Sequence, residues 1–173
     1  KNIEAELHKF ATTDFLTQLA NRRHFMVQVE AELARLRHDK SRPAAILMID
    51  LDHFKAINDR WGHALGDKAL RHFSAVLSNH LRETDVAGRI GGEEFAVMLR
   101  AAGFTQAESF AQRLQRHLRG SPLIEDGQHV DMTVSVGISV MSPDDATADD
   151  SIFRSDRALY QAKDRGRDRI ERA

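Results

Sequence analysis

Cysteine is absent from this chain of 173 residues. That excludes disulfide frameworks and thiolate metal sites, and it suits a reducing compartment such as the cytoplasm. Long apolar runs are missing too. The longest uninterrupted one, Ala44 to Ile49, is far short of the roughly 20 residues that span a bilayer. No secretory leader pattern is visible. Charge of one sign is not in excess: the formal net charge is −1, which leaves no electrostatic case for a duplex-binding surface, so no nucleic-acid partner is expected. No G-x-x-x-x-G-K-[ST] loop occurs, so a P-loop is not the phosphate solution here. Nine histidines are scattered, with no H-E-x-x-H and no pair at ligand spacing beside an acid, and zinc is rejected. Repeats and low-complexity stretches are absent. The length fits one domain with a real core. A first residue of Lys1 rather than Met reads as a piece of a longer protein.

What is present centres on Gly91-Gly92-Glu93-Glu94-Phe95 within R-I-G-G-E-E-F-A-V-M-L. Apolar residues flank a glycine pair. Glycine adopts the positive φ of tight hairpin turns without steric cost, so Gly91 and Gly92 predict a two-residue turn. Glu93 and Glu94 then sit at the tip of a β-ribbon. Adjacent acids at a rigid tip raise each other's pKa unless a cation is near. A merely solvated acidic turn is the plainer reading of the pentapeptide alone.

The rest of the chain alternates helical and strand periodicity. Lys1 to Ala11 is polar and helix-prone, with Ile3, Leu7 and Phe10 at helical spacing, and residues 1–13 read as the end of a connecting helix. Thr12 to Ala20 is expected to be a loop. Asn21 suits the cap of a helix from Arg22 to about His38, with Phe25, Val29, Leu33 and Leu36 on one stripe. After Pro43, residues 44–50 read as a strand buried on both faces. A helical turn is expected over 54–60, a helix over about 65–81, strands at about 85–90 and 94–100, and a helix over 105–119. A strand follows over 129–140, then an acidic loop over 142–150. The final helix runs over about 151–165 and is ended by Gly166. This order implies an α+β fold, a mostly antiparallel sheet covered by helices.

Asp50 ends the buried strand, and if that strand neighbours the hairpin, Asp50, Glu93 and Glu94 converge on one rim. Carboxylates with a backbone carbonyl, here of Leu51, suit Mg²⁺ or Mn²⁺. Two such ions about 3.5–4 Å apart are the usual clamp for in-line displacement at phosphorus. Asp50 alone also suits a helix cap. Lys55 is placed to reach a triphosphate. Lys163 and Arg167, bracketing Gly166, either complement the helix dipole or hold phosphates. Asn58 and Asp67 flank W-G-H-A-L-G and could read the donor edge of guanine, although a turn asparagine and a capping aspartate are the commoner uses of such residues.

Taken jointly, D-L-D-H-F-K-A-I-N-D-R-W-G-H-A-L-G-D (50–67), R-I-G-G-E-E-F (89–95), A-L-Y-Q-A-K-D-R-G-R-D (158–168) and D-F-L-T-Q-L-A-N-R-R (14–23) resemble the GGDEF family, the diguanylate cyclases. The resemblance covers 14–173 as a catalytic domain. It implies a central five-stranded sheet wrapped by helices, similar to the adenylyl cyclase core and the polymerase palm. It implies condensation of two GTP into cyclic di-GMP with release of two pyrophosphates, using two Mg²⁺ (or Mn²⁺) per active site. Asp50, the Leu51 carbonyl, Glu93 and Glu94 match the metal ligands. Glu93 also matches the base for the ribose 3′-hydroxyl, and Lys55 the residue that steadies the transition state. Asn58 and Asp67, with His63 nearby, match the guanine readers. Lys55, Lys163 and Arg167 match the phosphate contacts. Arg82 and Asp85, as R-x-x-D, match an inhibitory product site with Arg113 as helper; a surface Arg–Asp ion pair is the simpler reading of that motif.

The resemblance further implies a catalytic homodimer, an upstream sensor or input domain absent from this chain, and a cytoplasmic position for the domain even in a membrane-attached parent. Gln18 stands where the family usually has glycine, and Asp168 where it usually has asparagine. Two other readings stay open. One is a weakly active or inactive receptor that binds GTP or cyclic di-GMP and acts through a partner. The other is a two-metal transferase acting on a polynucleotide, against which the near-zero net charge argues.

Overall fold

The computed structural model describes residues 2–173; Lys1, the first residue of the expected connecting helix, lies outside the described residues. α1 (Ile3–Thr12) buries none of its own residues, and Ile3, Leu7 and Phe10 are exposed. α2 (Arg22–His38) starts where expected, with the Asn21 side chain accepting the His24 N–H at 2.9 Å. That is the N-cap bond that satisfies one otherwise unpaired amide. β1 (Ala44–Leu51) is buried along its whole length. α3 (Phe54–Trp61) and α4 (His63–Ser78) follow, then the ribbon β2 (Val86–Arg89) and β3 (Glu94–Arg100), and α5 (Phe104–Gly120). A small hairpin, β4 (Leu123–Glu125) and β5 (Gln128–Val130), precedes β6 (Val134–Val140), α6 (Ala148–Asp164) and β7 (Ile170–Arg172).

The main sheet has five strands in the order β2-β3-β1-β6-β7. All neighbours are antiparallel except β6 and β7. Because successive side chains point to opposite faces, β1 serves two cores. Ala45, Leu47, Ile49 and Leu51 join the cluster built by α4 and α5. Ala44, Ile46 and Met48 join the one built by α2 and Leu159 of α6. This explains why β1 is an unbroken apolar run rather than an alternating one. The same parity puts Asp50 on the α2/α6 side.

Three expectations are corrected. The stretch 129–140 is not one strand: Val130 ends a separate hairpin whose turn, Asp126 and Gly127, has φ of 49° and 74°. Asp-Gly is a strong signal for that turn type. β7 is only three residues long, below what periodicity resolves. The last helix begins at Ala148, because the Asp150 carboxylate accepts the Ala146 and Thr147 amides at 2.7 and 3.4 Å.

α6 lies close on β6. At Gly137, a single added carbon would overlap the Ser155 carbonyl oxygen and the Leu159 N–H of that helix. Both obstacles are backbone and cannot swing aside. Gly137→Ala is therefore expected to destabilise the fold by about 2–3 kcal/mol, read as a lowered urea midpoint. An unchanged midpoint would refute this packing.

Candidate active site at the end of β1

The site grows from the register of β1. Asp50 is paired directly with Glu94 of β3, and the Leu51 N–H donates to the Glu93 carbonyl at 3.2 Å. Cross-strand partners share a face, with Cβ atoms about 5 Å apart. The strand pairing thus brings the Asp50 and Glu94 carboxylates to one rim. Phe95, fully buried, packs edge-on against Phe73 of α4 with ring centroids 4.7 Å apart. That contact fixes the ribbon just behind its acidic tip.

A cleft of about 400 Å³ opens there, lined by Asp50, Leu51, Lys55, Glu93, Lys163 and Arg167 among others. Asp50 is 5% exposed and its carboxylate accepts from the Lys163 ammonium. Burial nevertheless pushes the Asp50 carboxyl up to about 6; Lys163 opposes this, and Glu93 and Glu94 add to it. Desolvation, more than the two neighbouring glutamates, thus outweighs Lys163. Lys55 and Arg167 are exposed.

The metal expectation meets a mixed picture. Among the described residues no three His, Cys, Asp or Glu side chains close on one point, and Asp50 is engaged by Lys163 rather than by its acidic neighbours. The donor set is all oxygen, the type a hard divalent cation takes. By donor type alone Asp50, the Leu51 carbonyl, Glu93 and Glu94 suit such an ion, and Asp50 would have to exchange Lys163 for it.

The glycine expectation is corrected. Neither Gly91 nor Gly92 has a positive φ. The connection spans residues 90–93, with the Ile90 and Gly91 amides both donating to the Glu94 carbonyl at 2.9 and 3.3 Å. A wider loop does not need the two-residue turn geometry. What glycine provides is open space: a side-chain carbon at Gly92 would meet nothing within 4 Å. The backbone stays approachable from the cleft.

The base-reading candidates lie beside the cleft, not in its lining. Asn58 on α3 points its amide oxygen at Gly66 of α4, where any side chain would overlap it. His63 and Asp67 are exposed on the first turns of α4. The inhibitory-site candidates do meet. Arg82, Asp85 and Arg113 line a second pocket of about 280 Å³. There Arg82 pairs with Asp85 at 3.0 Å and also donates to the Arg100 carbonyl at 2.6 Å. The simple ion pair thus exists, and it sits in a pocket.

A family model described as "Diguanylate cyclase, GGDEF domain" matches residues 11–169. The chain belongs to the GGDEF family. Diguanylate cyclase A of Treponema denticola is 34% identical over 168 residues, covering 96% of this chain and 45% of that protein. Diguanylate cyclase DgcP of Pseudomonas aeruginosa is 39% identical over 162 residues, covering 93% and 24%. The chain thus spans less than half the length of these two relatives. The solved coiled coil and GGDEF domain of DgcB from Caulobacter crescentus, in complex with c-di-GMP, superposes with a TM-score of 0.91 at 28% identity, covering 98% of this chain and 90% of that one.

Two residues of this GGDEF domain had escaped the sequence reading. Arg89 donates to the Gly91 and Gly92 carbonyls at 3.2 and 3.0 Å and pairs with Asp14 at 3.4 Å. It thereby ties the loop after α1 to the acidic tip. Asp52 is buried and is considered below. Neither partnership has a sequence signal, because the partners lie 75 residues or more away in the chain.

Asp50 gives the site a pH signature. Its folded value, about 6, lies above the ordinary 3.8. The folded state holds that proton more tightly, so its contribution to stability is full below about pH 4 and is lost as pH rises through 6. In metal-free protein, the melting temperature of the parent chain is expected to fall relative to Asp50→Asn between pH 4.5 and 7. Parallel curves would remove the perturbed carboxyl.

Proposed function

We propose that this domain is a diguanylate cyclase that joins two GTP molecules into cyclic di-GMP and releases two pyrophosphates. The observation that carries the reading is the cleft lined by Asp50 and Glu93 together with Lys55, Lys163 and Arg167, with Glu94 opposite Asp50 in the β1–β3 register. Negative charge for a divalent ion and positive charge for a triphosphate share one opening.

Each half-reaction is a displacement at the α-phosphorus. The 3′-oxygen of one GTP forms the new phosphorus–oxygen bond, and the bond to the β-phosphate bridging oxygen breaks. Pyrophosphate leaves with that electron pair. Glu93 takes the 3′-hydroxyl proton. Lys55 stabilises charge developing on the transferring phosphoryl group, and Lys163 and Arg167 hold the β- and γ-phosphates. Mg²⁺ or Mn²⁺, held by Asp50, the Leu51 carbonyl, Glu93 and Glu94, supplies neutralisation of the phosphates and a more acidic 3′-hydroxyl. The open backbone at Gly91 and Gly92 lets the triphosphate lie close to the loop. Asn58 and Asp67, with His63 beside them, read the guanine edge.

One cleft accepts one GTP, and the attacking hydroxyl belongs to another. Two domains must therefore face each other, and a two-fold arrangement matches a two-fold product. Arg82, Asp85 and Arg113 form the pocket for returning product, where Arg side chains suit phosphate and guanine edges.

Incubation of the purified domain with GTP and Mg²⁺ is expected to yield cyclic di-GMP. Dimeric protein that makes none would sink the cyclase reading and leave a receptor. Glu93→Ala is expected to lower turnover at least ~10³-fold, or ~4 kcal/mol of barrier, with an intact fold by circular dichroism. Near-normal turnover would take Glu93 out of the chemistry. Arg82→Ala is expected to relieve product inhibition while initial rate stays constant, because the Asp85 carboxylate keeps its bond from the backbone amide of residue 82. Undiminished inhibition would return the R-x-x-D to a plain ion pair.

A further inference from the structure

The segment after α6 is built under strain. Gly166, Arg167 and Asp168 have φ of 116°, 64° and 46° in succession. Glycine adopts the left-handed region freely and aspartate tolerates it, so the cost, about 1–2 kcal/mol, falls on Arg167, and such a residue persists only where its surroundings hold it. One holding bond is helical in origin: the Arg167 N–H donates to the Ala162 carbonyl at 2.9 Å. Another comes from across the molecule. The Asp168 N–H donates to Asp52 Oδ2 at 3.0 Å.

Asp52 is 6% exposed and takes part in no ion pair among the described residues. Its carboxylate is held by dipoles alone. Oδ2 also accepts from Thr133 Oγ1 at 2.7 Å, and Oδ1 from Ser135 Oγ at 2.7 Å. Its own N–H donates to the Thr133 carbonyl at 2.9 Å. Asp52 is thus fixed by three bonds, two to Thr133 just before β6 and one to Ser135 within it, and a fourth, accepted by its carboxylate, reaches the strained turn. Charge-assisted bonds of this kind are roughly twice as strong as neutral ones. The outer side of the same turn is tied by Asp168 to Arg119 of α5 at 2.5 Å. That pair is exposed and worth little on its own.

We infer that Asp52 is a positioning residue for Arg167. Through the Asp168 amide it fixes the left-handed turn that carries Arg167, a residue lining the cleft. A planar fork gains from being pre-aimed, because less rotamer freedom is lost on binding. The inference rests on the triphosphate reading of the cleft and adds a residue outside both the metal set and the phosphate contacts.

The test is a double-mutant cycle on the dimeric domain, with a non-hydrolysable GTP analogue and Mg²⁺ in calorimetry and GTP turnover alongside. Asp52→Asn is expected to weaken analogue affinity and raise KM about tenfold, with kcat changed less than about threefold. In an Arg167→Ala background the same change is expected to cost less than about twofold. An Asp52→Asn penalty that is undiminished without Arg167 would overturn the inference. Parent protein that binds no analogue would overturn the triphosphate reading and this inference with it, whereas binding with an additive cycle would overturn this inference alone. Should Asp52→Asn fail to fold, amide exchange of the unmodified protein decides. The Asp168 amide is expected to be protected well above that of exposed Arg169, and equal, fast exchange would refute the anchoring bond.

Discussion

The pairing of β1 with β3 is the constraint on which the site depends. Hydrogen bonding runs in register from Ala44–Arg100 to Asp50–Glu94. A slip of one residue would turn every side chain to the other face. Asp50 would then lie among the α4/α5 residues, and Leu51 would open to the cleft. The two apolar clusters forbid that slip, because each needs its own parity of β1 residues. The core thus fixes the acidic rim indirectly. Burial energy spent on Ile46, Leu47, Met48 and Ile49 also holds a carboxyl in a place it would not choose for itself.

The rim is costly in the metal-free fold. Asp50 is desolvated and faces two glutamates, and only Lys163 opposes them. Such crowding persists because the elements around it are stapled from outside. Arg89 grips the loop carbonyls from the α1 side, Asp52 grips the turn after α6, and Gly137 lets α6 lie against β6 so that Lys163 reaches Asp50. Three unrelated contacts therefore converge on one small volume. A fold that stores unfavourable charge in this manner is prepared for a ligand of opposite charge.

Much of this was legible in the sequence, for identifiable reasons. β1 showed itself as an apolar run closed by an acid, and α2 by its stripe and its Asn21 cap. The hairpin was visible because Gly91-Gly92 separates two apolar runs, although its geometry was misjudged: four residues bridge it, and neither glycine is left-handed. Local patterns cannot report partners distant in the chain. Arg89 with Asp14, Asp52 with Ser135, and Asn58 over Gly66 are tertiary facts. The β4–β5 hairpin is different. Asp126-Gly127 announced it locally, and the alternation over 129–140 hid it by running on into β6.

The two departures from the family pattern now have physical content. Gln18 and Asp168 both occupy left-handed backbone, with φ of 63° and 46°. Glycine, usual at the first, adopts that region freely, and asparagine, usual at the second, tolerates it better than most residues do. Aspartate shares that tolerance, so the turn at 168 loses little conformationally, and its carboxylate gains Arg119 as a partner. Glutamine has no such preference; its amide makes one bond, donating to the Phe15 carbonyl at 2.8 Å. The strain at 18 falls in the turn between Asp14 and α2, where the Gln18 N–H donates to the Asp14 carbonyl at 2.9 Å, beyond the Asp14–Arg89 pair as seen from α1. A residue that resists its own backbone geometry there lowers the free-energy gap between the observed loop and an alternative one. The departure at 18 therefore carries a conformational cost that the one at 168 largely avoids, and it does so four residues from the aspartate that Arg89 ties to the acidic tip.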